Sequence, residues 1–400
     1  MKKLIYSLFA FTFIWALTGC NSGKTLEQLE VISGNMKAAF APDRREKVYE
    51  VTFEKSRGSR TFLAKGVTTE KEAGPALVAA AKSQGINLTD SVIVLPDPSL
   101  GSATYGVTAL SVANLRYQPD YASESATQTI MGMPLRILET KGGWTRVVTP
   151  EGYVAWLTSK SVKEMDKEAY ESWMAAPKVI INKHYALFRE EALPGAQVVS
   201  DGVWGNIVEL EGQTPAWYRV KLPNGKTACV SKFDAQPLDS WLASRNPMPE
   251  EIISTAMQFL GFPYQWAGTS VKAMDCSGLV KTTFYLNGII LLRDASQQAR
   301  MGEPADISEG WQHLQMGDLI FFGRKATPEK KESISHVGIY IGDARFIHSA
   351  GYVRINSLDP ESDIYYEGSP RLLKAVRILN HIDDGKQVVS IKKHPWYGIE

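Results

Sequence analysis

The sequence has no surplus of charge of either sign. Forty-four Lys and Arg stand against 43 Asp and Glu, a formal net charge of +1. It therefore lacks the basic footprint with which a protein neutralises nucleic-acid phosphates. A membrane-spanning run is missing too: the most apolar stretch, residues 4–17, falls short of the ~20 residues a helix needs to cross a bilayer. Cysteine and histidine are scarce, three and six among 400 residues, so each can be weighed individually. What is plentiful is ordinary globular material, 44% hydrophobic and 22% charged. A chain of this length has enough apolar sequence for two to four packed domains.

The short apolar run follows Lys2 and Lys3 and closes on Leu17-Thr18-Gly19-Cys20. A basic start, a short apolar segment and small residues at its end read as a secretory leader over residues 1–19. The placement of Cys20 resembles a bacterial lipobox, which implies lipidation of Cys20 and a membrane anchor facing the periplasm or the exterior. An ordinary leader with an incidental Cys is the alternative. With Cys20 set aside, Cys229 and Cys276 form an even pair that a secreted chain can bridge. The surroundings of Cys276 argue instead for a reactive thiol.

Residues 20–104 read as a tether and a small α+β unit. The tether and a short helix cover about 21–45. Strands are predicted over 47–53, 60–65 and 91–95, with a helix over 75–83. From 105 to 165 the pattern changes to short strands about nine residues apart, with turn signals at Gly142-Gly143 and Pro150-Glu151-Gly152. GGWTRVVTPEGYVAWL resembles a bacterial SH3-like barrel. A second such barrel is predicted over 178–242, where Asn224-Gly225 makes a hairpin turn between WYRVKLP and KTACVSK, after a helical linker at 170–176. Cys229 falls on a strand of that barrel and reads as a buried structural thiol. Residues 246–385 differ again: helices over 249–260 and 276–286, then strands at 319–322, 337–341, 345–349 and 375–377. Helices followed by an antiparallel sheet give an α+β domain.

Asp275 and Ser277 flank Cys276 ahead of an apolar periodic run. This puts Cys276 at a helix start, where unpaired N–H groups and the helix dipole favour a thiolate. A thiol nucleophile needs an imidazole to take and return its proton. His336 and His348 lie on predicted strands of the same domain, separated by a Gly342-Asp343 turn. A hairpin there lets His336 face Cys276 with His348 behind it as the orienting group. Taken alone, the same residues also fit a small core Cys, hydrogen-bonded structural histidines, or a zinc site that lacks close ligand pairs.

The motifs YQWAGTS, MDCSGLV, GDLIFF, SHVGIYIG and RFIHSA occur together, in order, within about 130 residues. The chain thereby resembles the NlpC family of papain-like cysteine peptidases, which cleave amide bonds in bacterial cell-wall peptides. The resemblance implies Cys276 as nucleophile, His336 as base and His348 as third residue, with the Cys276 N–H in the oxyanion hole. It implies no metal or organic cofactor.

Two barrels ahead of such a domain resemble the γ-D-glutamyl-L-diamino acid endopeptidases, also described as dipeptidyl-peptidase VI. These cut murein peptides that carry a free N-terminal L-Ala. By that resemblance Asp294, Glu124 and Tyr153 hold the substrate's ammonium group. Asp275 and Ser277 bind the peptide beside the nucleophile, and Ser296 is a further candidate. Each has a plainer reading: Asp294 as a helix cap, Glu124 as a solvated loop residue, Tyr153 as barrel core.

The expected protein is thus a lipid-anchored monomeric peptidase of the cell envelope whose partners are murein peptides and a membrane, not nucleic acid. One rival is an endopeptidase acting on intact peptidoglycan, with the barrels as wall-binding modules. The other is a catalytically silent wall-binding protein.

Overall fold

A computed structural model of the chain describes residues 13–385 and 388–398, with side chains from residue 23 onward. Residues 1–12 of the leader expected over 1–19, and the Cys20 side chain, lie outside the described residues. The chain divides after Leu100 into two compact units.

The first unit holds a three-stranded sheet. Tyr49–Lys55 pairs antiparallel with Phe62–Thr68, which pairs in parallel with Leu88–Val94. The parallel step requires a crossover, and the helix Ala73–Ser83 supplies it. The expected tether at 21–45 is corrected: one helix runs over Phe13–Phe40. Its Leu29 and Ile32 share a core with Leu77, Ala81, Phe62 and Leu88. This burial outweighs the weak helical signal of the polar residues around them.

The second unit contains two seven-stranded antiparallel barrels and a helix-and-sheet domain. The first barrel runs, in spatial order, Val162–Met165, Tyr105–Thr108, Pro134–Lys141, Trp144–Val148, Val154–Thr158, Val112–Arg116 and Ser125–Ile130. The second runs Val198–Val203, Tyr185–Arg189, Thr227–Ser231, Trp217–Lys221, Ile207–Gln213, Lys178–Ile181 and Ala235–Pro237. Between them lies the helix Lys167–Ala175, capped by Asp166, whose carboxylate accepts the Ala169 N–H. Cys229 is not buried in the second barrel as expected. It is only partly buried and unbridged, on a strand opposite Arg189 and Arg219.

The last domain packs helices Pro249–Met257 and Cys276–Tyr285 on a six-stranded antiparallel sheet. The sheet order is Glu303–Ala305, Leu372–Arg377, Leu319–Arg324, Ser333–Gly342, Arg345–Ala350, Tyr352–Ser357. The first and last of these strands carry no clear sequence signal, being short or mixed in polarity. Every residue of the helix Cys276–Tyr285 is buried. Leu279, Val280 and Phe284 are fully inaccessible, each contributing about 1.5–3 kcal/mol through burial. Residues 388–398 continue beyond the 246–385 span, and Val389–Ser390 pairs with Ile289–Ile290.

The barrels meet at a corner. Ile130 and Met133 of the first share one core with Val203 and Ile207 of the second and with the helix Cys276–Tyr285. Gly132 sits at that corner at φ +84°, where a Cβ would lie 2.0 Å from the Ile207 carbonyl oxygen. Gly142 also has positive φ but faces open space. Gly132→Ala is expected to cost about 2–4 kcal/mol through strain and overpacking, and Gly142→Ala only about 1 kcal/mol. Thermal melts of the two variants check this, and equal losses would refute the close-approach argument.

Candidate active site

The helix carrying Cys276 begins where it does because Asp275 caps it. The Asp275 carboxylate accepts the Gly278 N–H at 2.7 Å from an extended backbone position. Its second oxygen accepts the Ala267 N–H at 2.9 Å, fixing the loop ahead of the helix. Ala267 is held there at φ +66°, a strained conformation for a residue with a Cβ. Gly278 lets loop and helix touch, since a Cβ would fall 1.9 Å from the Gly268 carbonyl oxygen.

Cys276 is 8% exposed. The backbone N–H groups of Val337 and Ser277 are directed at its sulfur and favour a thiolate, as does the charge on Arg293. Burial and the Asp275 carboxylate work the other way and prevail, pushing the thiol up to about 12. The Val337 contact places the sulfur one residue from His336. Tyr264 lies within electrostatic reach of both Cys276 and Asp275, and its phenol is pushed up to about 12, chiefly by burial.

The histidines form a directed chain. Asn356 donates its amide NH₂ to the Ile364 carbonyl at 2.8 Å, so its Oδ1 is the atom 2.9 Å from His348 Nε2. His348 must then donate from Nε2 and accept at Nδ1, which lies 2.7 Å from His336 Nε2. His336 in turn donates from Nε2, leaving Nδ1 as its lone-pair nitrogen. Burial, then His348, Arg371 and Arg354, lower the His336 pKa to about 3. Burial lowers that of His348 to about 4, against the stabilising Asn356 bond. Burial thus favours the neutral thiol of Cys276 and the neutral imidazole of His336 over their ions. Tyr366 stacks edge-on against His348, with ring centroids 5.0 Å apart.

The structure joins His336 to His348 directly, and the Val337 N–H directed at the Cys276 sulfur comes from the residue after His336. Tyr153 and Asp294 meet, with the phenol donating to the Asp294 Oδ2 at 3.3 Å and 2.9 Å from the Tyr117 hydroxyl. Asp294 also caps the short helix Ala295–Gln298 in a reciprocal box with Gln297. Glu124 is exposed, and its carboxylate accepts the Trp266 indole N–H at 3.1 Å. Ser296 is half-buried one residue into the short helix. The side chains of Asp275 and Ser277 turn inward, onto each other and onto Arg293, and are occupied there.

Arg293, Asn356 and Tyr117 were not legible as site residues. Arg293 is 1% exposed. It makes two bonds to Asp275, at 2.7 and 3.2 Å, and one each to Ser277 and to Thr127 of the first barrel. The adjacency of Arg293 to Asp294 was its only signal in the sequence. The first barrel is fastened again where Gln128 accepts the Thr269 N–H at 2.8 Å.

A neutral resting thiol has a measurable signature. Selective alkylation of Cys276 is expected to accelerate continuously from about pH 5 to about pH 9, because the raised thiol pKa keeps the thiolate fraction rising through this window. Labelling rates measured by intact mass check this. A flat rate below about pH 6 would instead show a preformed thiolate–imidazolium pair.

Comparison with known proteins agrees with this geometry. Residues 261–369 match the NlpC/P60 family and residues 115–162 the bacterial dipeptidyl-peptidase SH3 domain. The chain is 35% identical over 237 residues to a gamma-D-glutamyl-L-lysine dipeptidyl-peptidase of Bacillus cereus, covering 57% of this chain and 68% of the relative. It is 26% identical over 277 residues to dipeptidyl-peptidase 6 of Lysinibacillus sphaericus, covering 66% of this chain and 96% of the relative. The crystal structure of an NlpC/P60 family protein from Bacillus cereus superposes with a TM-score of 0.58 at 27% identity, over 69% of this chain and 99% of that one. With a buried thiol at a helix start, an aligned histidine pair and these relatives, the chain belongs to the NlpC/P60 family of cysteine peptidases.

Proposed function

We propose that the protein hydrolyses the bond between γ-D-Glu and a diamino acid in murein-derived peptides that begin with a free L-Ala. The observation that carries this reading is the meeting of Tyr153 and Asp294 across 3.3 Å, with one side chain from the barrel and one from the catalytic domain. A carboxylate and a phenol together suit an ammonium group: the carboxylate supplies charge and both oxygens accept N–H donors. Glu124, on the same barrel, adds a second carboxylate at the Trp266 edge. The names of the relatives in Bacillus cereus and Lysinibacillus sphaericus support the same peptide class. A barrel wall beside the site favours short free peptides over intact wall.

The reaction follows from the tautomers. His336 Nδ1 takes the thiol proton as the Cys276 sulfur attacks the γ-carbonyl carbon of D-Glu. The oxyanion is met by N–H groups at the helix start, which have no intrahelical partner. Collapse breaks the C–N bond, and the leaving amine receives the proton from His336. A water, deprotonated by the same nitrogen, attacks the thioester, and the carboxylate product and the thiol are regenerated. His348 and Asn356 hold the imidazole in the productive tautomer throughout. We further propose that lipidation at Cys20 anchors the enzyme in a bacterial envelope.

Digestion of the tripeptide L-Ala-γ-D-Glu-diaminopimelate, followed by mass spectrometry, tests the chemistry. The dipeptide L-Ala-γ-D-Glu is expected from the wild type and not from Cys276→Ala. Asp294→Ala is expected to lower kcat/KM at least ~100-fold, the scale of a lost charge-assisted contact of about 3 kcal/mol. An intact tripeptide, cleavage that survives Cys276→Ala, or full activity in Asp294→Ala would each overturn the corresponding part of the reading.

A further inference from the structure

Tyr153 owes its position to a tight turn. Within it the Thr149 N–H donates to the Tyr153 carbonyl at 3.0 Å, and the Gly152 N–H to the Thr149 carbonyl at 2.8 Å. The tip of this turn is held from outside the barrel at two points.

At the first, the Glu151 carboxylate lies 3.0 Å from Lys281 Nζ, with side chains 1% and 8% exposed. Lys281 belongs to the catalytic helix, so an ion pair shielded from water ties the turn to the element that carries Cys276. A pair this buried persists only when both members stay in place, because either charge left alone is costly.

At the second, Pro150 offers its carbonyl to His394 Nε2 at 3.0 Å. The other ring nitrogen, Nδ1, accepts the Trp396 N–H at 3.2 Å. The two bonds require opposite roles of the two nitrogens, which selects the neutral Nε2–H tautomer.

His394 comes from the terminal segment 388–398, beyond the stretch that matches the family. The segment starts on the catalytic domain, where Val389–Ser390 pairs with Ile289–Ile290. It ends on the barrel side. There the Trp396 carbonyl accepts the Tyr170 hydroxyl at 2.5 Å, the Arg136 guanidinium lies 4.5 Å over the Trp396 ring, and Tyr397 is buried. The tail thus bridges both sides of the turn.

We propose that residues 388–398 and the Glu151–Lys281 pair form a strap that sets Tyr153 against Asp294, making Lys281 and His394 positioning residues for recognition of the substrate's N-terminal ammonium group. Neither residue is among the partners of Tyr153 or Asp294, so their influence runs through the turn. The Tyr153–Asp294 bond is sensitive to such influence. At 3.3 Å it is already beyond the usual range for O–H···O, and a small tilt of the turn breaks it.

The inference rests on the reading of Tyr153 and Asp294 as the ammonium site, and one experiment separates the two. The ratio of kcat/KM for the free tripeptide to that for its N-acetylated form is measured in wild type, His394→Phe, His394→Gln and the double variant Glu151→Leu/Lys281→Met. The double variant leaves no orphaned charge, and melting curves verify that each variant is folded. The expected result is a fall of at least about tenfold in the ratio for His394→Phe and for the double variant, mostly through KM of the free peptide. His394→Gln, which can still donate to Pro150, restores the ratio. In a Tyr153→Phe background the same changes have no further effect on the ratio. A wild type that treats both peptides alike overturns the ammonium site and the strap's role with it. A discriminating wild type with an unchanged ratio in the folded variants overturns the strap alone, because a merely structural role lowers both activities together.

Discussion

The ion pair between Asp275 and Arg293 is the constraint on which the site depends. Both are almost fully buried, and five donors converge on the two Asp275 oxygens: the Gly278 and Ala267 N–H groups, the Ser277 hydroxyl and two guanidinium nitrogens. Removing two charges from water is expensive, and such a pair is poor evidence of added stability. What it provides is arrangement. One carboxylate starts the catalytic helix, fixes the strained Ala267 loop and orients Arg293. One guanidinium then reaches Thr127 of the first barrel. The Cys276 helix, the loop ahead of it and the first barrel are thereby placed by a single cluster of polar atoms, all of them satisfied.

The same cluster explains the character of the thiol. Asp275 stands next to Cys276 and opposes the thiolate, while Arg293 offsets part of that charge. Burial of the sulfur and of both rings disfavours ions on either side of the proton transfer. The line from Asn356 through His348 to His336 compensates by fixing tautomers instead of charges. The imidazole of His336, the proposed base, is oriented by the direction of its hydrogen bonds, and burial favours its neutral form.

The first barrel carries two of the residues proposed to contact the substrate and is fastened to the catalytic domain. Thr127 and Gln128 fasten it to the catalytic domain, and Tyr153 and Glu124 come from its loops. The corner at Gly132, where the barrels meet, and the tail beneath the Thr149–Tyr153 turn both hold that edge in place. Tyr153 and Asp294, the side chains proposed to hold the ammonium group, are therefore drawn from segments more than a hundred positions apart.

This separation marks the boundary between what was legible in the sequence and what was not. Cys276 and the two histidines could be read because each sits in a local pattern, a capped helix start or a strand beside a turn, and local patterns follow from dihedral preferences and period alone. The barrels were visible for the same reason, in evenly spaced strands and Gly-rich turns. The helix over Phe13–Phe40 was not, because its apolar positions acquire meaning only against Leu77 and Phe62. Nor was the exposure of Cys229, which depends on which barrel face is covered. Arg293, Asn356 and Lys281 read as ordinary polar residues, since nothing local distinguishes a buried Arg or Lys from a solvated one. Their roles come from partners 18, 8 and 130 residues away, and burial, which turns those partners into strong interactions, exists only once the chain has folded.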